Sequence, residues 1–335
     1  PEVLTVKTSV SIRGVDPSVT VIDGGQAGPV ISIQQGVGAT ISGFKITGGR
    51  AAGGAGIYNQ GALFLSDAVV EGNETTDPAT GFGGGIFNYG GSITLSDVTI
   101  KGNKAELGGG LLNAYGIASL VRTTVEGNAA AQFGGGIFNG ATARLNVDTL
   151  LLKDNDVGTG RGGGLYSAGF SYVQRSTFTG NSSGENGGAV YQFGDVTILS
   201  NSTLSGNRAD FGGSAVYVNS GAMLITNVTF ANNSGGFGAL FSLAPAETEF
   251  DRVRLRNTLM ADNAGGSCFG TIVSEGHNID SGNSCSFSGE KDRVNIDPRI
   301  QPLADNGGML ATHDLRADSP AIDGGDPAGC SAPDD

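Results

Sequence analysis

The chain has 335 residues, a formal net charge of -13, 59 glycines, 10 prolines and no tryptophan. The acidity argues against a nucleic-acid-binding protein, which needs a basic surface, and no apolar run of about 18 residues is present to cross a membrane as a helix. Glycine without a persistent G-x-y triplet argues against collagen, and glycines interleaved with Ile, Val, Leu and Phe argue against disorder.

Residues 1–50 hold short β-branched segments such as Leu4-Thr5-Val6, Val19-Thr20-Val21-Ile22 and Val30-Ile31-Ser32-Ile33, punctuated by Gly, Asp and Pro. They read as the first coils of a solenoid. Over residues 51–264 a unit then recurs. GGGIFN at 83–88 returns as GGGLLN at 108–113, GGGIFN at 134–139, GGGLYS at 162–167 and GGAVYQ at 187–192. The second half of each unit closes on Asn73, Asn103, Asn128, Asn155, Asn181, Asn207, Asn233 and Asn263, spaced by 25 to 30 residues. A period that regular means stacked supersecondary units.

Within one unit, Ile93 and Leu95 alternate with Ser92 and Thr94 and so share one strand face. Val98 and Ile100 share a face of a second strand, with Ser96-Asp97 as the corner. The GGGIFN segment supplies a third. Three short strands per roughly 26 residues predict an all-β, right-handed parallel β-helix of about a dozen coils, about 55–60 Å long at the usual strand spacing. Equivalent residues then stack. Ile86, Leu111, Ile137, Leu165 and Val190 form one apolar ladder, and the eight asparagines form a structural ladder of amides bonded along the axis.

Residues 265–335 break the period and read as irregular coils and a compact C-terminal cap, continuous with the helix over 1–264. Arg252, Arg254 and Arg256 fall on one face of a strand and read as a solvated face. Cys268 and Cys285, 17 residues apart in a Gly/Ser/Asn-rich stretch, are expected to form a disulfide worth roughly 3 kcal/mol, which implies an oxidising compartment. Cys330 is left over, with a partner expected beyond residue 335, and the first residue, Pro1, suggests a mature or trimmed form.

The GGGIFN-type units followed by a strand ending in Gly-Asn resemble secreted bacterial β-helix proteins of the pectate-lyase-like superfamily. They also resemble the repeats of chlamydial polymorphic outer-membrane proteins. The tail, with Asp297-Pro298, Leu303-Ala304-Asp305-Asn306-Gly307-Gly308, Thr312-His313 and Ser319-Pro320-Ala321-Ile322-Asp323-Gly324-Gly325, resembles the C-terminal motif of choice-of-anchor Q proteins, with Met309 where that family usually has Pro. The resemblance implies export and a cell-surface or extracellular place. It supplies no catalytic residue.

Chemistry on such a rod needs side chains in register on neighbouring coils, and a glycosidase needs two carboxylates about 5–10 Å apart. Asp67 and Asp97 share a corner position. Glu71 and Glu126 flank Lys101 in what reads as a charge-alternating surface ladder. Asp154 and Asp262 replace the turn glycine before Asn and read as turn residues. His277 and His313 are the two histidines, and His313 lies in the tail motif, where a structural hydrogen bond is expected. The acidity admits Ca2+, yet no EF-hand loop or nonapeptide calcium array is present, so no metal or cofactor site is assigned.

One row has two readings. Tyr58, Phe87, Phe138, Tyr166, Tyr191 and Tyr217 occupy equivalent positions. Strict alternation with Ile86 turns the rings outward, as a stacking platform for sugars. A local bend turning both inward makes them core. Exposure of Tyr166 and Tyr191 separates the two. The expected function is a non-catalytic extracellular structural or adhesive module, which binds polysaccharide or other cell-surface components along one face or stacks end to end into a homopolymer. The alternative is a polysaccharide lyase or glycoside hydrolase.

Overall fold

A computed structural model describes residues 3–77, 81–244 and 252–327. The described residues contain no helix. In its place, ten successive parallel pairings join the strands that begin at Leu4, Ile31, Ile57, Ile86, Leu111, Ile137, Leu165, Val190, Val216, Leu240 and Cys268. The molecule is a parallel β-solenoid of about ten turns. At about 4.8 Å per turn the stack is about 48 Å long, shorter than the dozen coils expected because much of the chain after residue 280 leaves the stack.

Register follows from burial. Ile86 pairs with Leu111 and Ile57, and all three are fully buried. A second ladder runs through Val70, Ile100, Val125, Leu152, Phe178, Leu204, Phe230 and Met260, each without solvent exposure. A one-residue slip would turn the second ladder to water. The expected corner at Asp97 is a left-handed residue, φ 58°, inside one continuous bent strand, Ser92–Lys101. Asp154 and Asp262, both at φ 53°, adopt the left-handed turn that Gly102 and Gly127 adopt elsewhere.

A fourth layer was not foreseen. A short strand follows each ladder asparagine from Asn73 to Asn207, and Arg50–Ala51 precedes them. These form a separate seven-stranded parallel sheet, which includes Lys104–Leu107 and Ala129–Phe133. Their sequences carry no alternation, so their pairing is imposed by the coils on either side.

The C-terminal region combines further coil pairing, a disulfide loop and a hairpin. Second-strand pairing continues past residue 264, through Ile279–Asp280 to Arg293–Val294. The Cys268–Cys285 disulfide is present, and Cys285 and Phe287 are buried against the last core residues, with Cys285 Sγ 3.2 Å from Met260 Sδ. This loop closes the end of the core. Cys330 lies outside the described residues. The tail motif does something else. Ile300–Ala304 and Thr312–Leu315 form an antiparallel hairpin that folds back along the flank. Ala311 O accepts from Thr177 Oγ1 at 2.9 Å, and His313 Nε2 lies 2.9 Å from Ser205 Oγ. Changing both Cys268 and Cys285 to serine is expected to lower stability by about 3 kcal/mol, read as the shift in urea midpoint.

Candidate functional site

The rings alternate strictly with the core, yet they are not exposed. Tyr166 is 8% and Tyr191 1% accessible, and with Tyr217 they form an apolar cluster separate from the main core. The seven-stranded layer folds over them. Phe133 packs on Tyr166 with ring centroids 4.9 Å apart, and the Arg161 guanidinium sits 5.6 Å from the centre of the Tyr191 ring. The platform reading is therefore corrected. Phe87, Tyr166, Tyr191 and Tyr217 are buried, Tyr58 and Phe138 are half-buried, and none of them offers an open row of faces to a sugar. The row is packed as core, but as a second core outside the first.

Phe138, Tyr166, Tyr191, Tyr217, Phe241 and Phe269 stack with centroids 4.7 to 5.2 Å apart. Burial pushes the Tyr166 hydroxyl up to about 12 and raises those of Tyr191 and Tyr217. The folded state thus holds these protons more tightly than the unfolded chain. The stabilisation is complete below about pH 10, the unfolded tyrosine value, and is lost as pH rises toward 12. A spectrophotometric titration should show tyrosine ionisation that completes only as pH approaches 12, with unfolding following in the upper part of that window.

The asparagines form a continuous line. Asn73 Nδ2 donates to Asn103 Oδ1 at 3.0 Å, Asn103 to Asn128 at 3.0 Å, and so on through Asn155, Asn181, Asn207 and Asn233 to Asn263 at 2.9 Å. Each carboxamide from Asn103 to Asn263 also accepts from the backbone N–H of the preceding ladder asparagine. A second buried ladder joins Asn59, Asn88, Asn113 and Asn139. Its signal was the last residue of each GGGIFN motif, which sequence reasoning placed in the third strand without seeing a second ladder. A third, half-buried, joins Asn201, Asn227 and Asn257 at the corner.

The flank carboxylates are neutralised in pairs. Glu71 lies 3.1 Å from Lys45 and 3.2 Å from Lys101. Partial burial works against ionisation of Glu71, but the hydrogen bonds from the two lysines outweigh it and hold its carboxyl below the usual range. Glu126 pairs in register with Lys101 and Lys153. Asp97 receives two hydrogen bonds from Arg122, which lower its pKa, and Arg175 grips Asp148 in the same way. Glu71, Asp97 and Asp148 are thus each held against a cation. Of the three arginines, Arg254 meets Glu275 at 3.1 Å and Arg256 tethers Asp326 of the tail. Among the described residues no three His, Cys, Asp or Glu side chains converge in a metal-binding group, and no helix is long and apolar enough to cross a membrane.

Fold and flank together define a repeat β-solenoid with its polar ladders inside and ion pairs along its flank. Residues 175–192 match the model of the Chlamydia polymorphic membrane protein repeat. They cover the end of one coil and the glycine run and aromatic of the next. No curated protein and no solved structure matches the chain.

Proposed function

We propose that this chain is a rigid, surface-displayed β-solenoid rod with a structural or adhesive role, belonging with the exported proteins that its tail motif resembles. The observation that carries the reading is the unbroken amide ladder from Asn73 to Asn263. It makes the coils one stiff body whose outward residues keep fixed spacing, so a polysaccharide or other surface component would be held at several points along one face. The repeat match at 175–192 supports a surface location, as its description names a membrane protein. Mild protease treatment of intact cells of the source organism should release fragments of the chain. Protection in intact cells, with cleavage only after lysis, would sink the surface reading.

The rival reading, a polysaccharide lyase or hydrolase, is tested by incubation with uronic-acid and neutral polysaccharides with and without calcium. No chain shortening is expected, and cleavage abolished by Asp148→Asn would overturn the non-catalytic role. Head-to-tail polymerisation has less support, because the Cys285–Phe287 loop covers one end of the core. Sedimentation equilibrium should show a monomer.

A further inference from the structure

The back-folded tail encloses a cavity of about 320 Å³ against the flank. Its walls differ in character. Leu259, Ile279 and Leu315 supply apolar surface, whereas Thr229 and His277 supply polar atoms. No lining residue is an acid, a lysine or an arginine. The volume falls at the small end of the range for ligand pockets, about 300–1,000 Å³.

Two polar groups there have capacity to spare. His277 Nδ1 lies 3.1 Å from Gly324 O. A carbonyl only accepts, so Nδ1 carries the proton, and the Nε2 of the neutral ring is left as an acceptor. The Thr229 hydroxyl has no hydrogen-bond partner among the described residues. The second histidine, His313, has both nitrogens engaged, with Gln301 O and Ser205 Oγ, and so holds the tail down beside the cavity.

We infer that the cleft between tail and flank is a binding site for a neutral, polyhydroxylated ring of monosaccharide size. Hydroxyls would meet His277 Nε2 and Thr229, and a C–H face would lie on Leu259 and Leu315. An uncharged lining leaves no cation to recognise a carboxylate or phosphate. The site is independent of the buried aromatic row and of where the protein is displayed.

The chain has two histidines, both at this cavity, so its imidazole proton NMR signals form a two-peak reporter. The intact chain is titrated with galactose, glucose, mannose and N-acetylglucosamine, and with galacturonate and phosphate as charged probes. At least one neutral sugar should move the His277 signal saturably in the millimolar range. Thr229→Val should weaken that response roughly five- to tenfold, as loss of one hydrogen bond does. Gly325→Leu should abolish it. A Cβ at Gly325 meets only Asn257, at 3.9 Å, so the side chain can enter the cavity without backbone conflict. Silence of both signals with every neutral sugar overturns the assignment. So does a response confined to the charged probes, or a response equal in wild type, Thr229→Val and Gly325→Leu.

Discussion

Asn128→Ala should lower the free energy of unfolding by about 3–5 kcal/mol, because the loss of one carboxamide breaks four buried hydrogen bonds. Asn128 Oδ1 accepts from both Asn103 N and Asn103 Nδ2 at 3.0 Å, and its Nδ2 donates to Ile100 O and Asn155 Oδ1 at 3.0 Å. Alanine reaches none of them, and the site is about 1% exposed, so water has no easy access to the groups left behind. Asn128→Asp should be at least as harmful at neutral pH, since a buried carboxylate would face two acceptors. Glu126→Ala, two residues away on the open flank, should cost less than 1 kcal/mol. Urea unfolding of the three variants checks the ranking. Equal midpoints for Asn128→Ala and Glu126→Ala would show that the ladder contributes nothing.

Gly135→Ala is the second large effect, at about 3 kcal/mol or more, and its cause is space. A Cβ there would stand 2.5 Å from both Asp156 O and Gly163 O. Both are backbone atoms held in ladders, so neither can yield. Gly127→Ala is the informative contrast. Its φ of 59° is left-handed, but nothing lies within 4 Å of the added Cβ. It should cost only about 1–2 kcal/mol, the conformational strain alone. Thermal unfolding midpoints distinguish the two, and equal shifts would contradict the packing account.

Much of the architecture was legible because a solenoid repeats its instructions. Ile86, Leu111 and Ile137 are the same position written three times, and their stacking in register follows from the period. The same holds for the asparagines from Asn73 to Asn263. Tyr166 and Tyr191 were not legible in that way. Alternation correctly turned them away from the first core, but what lies outside that core depends on the path of Ala129–Phe133 and its neighbours, which have no periodic pattern. The tail was misplaced for a related reason. Its motif resembles a terminal segment, but His313 finds Ser205 at a separation of 108 residues, a contact that local sequence does not encode.

The sequence by itself determined the repeat, the strand register, the two apolar ladders and the asparagine ladder, because each depends on spacing along the chain and each error of register would expose apolar side chains or strand amides. Only the tertiary structure decided that the aromatic row is closed, that the flank acids are paired, and that the tail lies along the side and encloses a cavity at His277. Those outcomes depend on segments that carry no period of their own and take their place from the surface they fold onto.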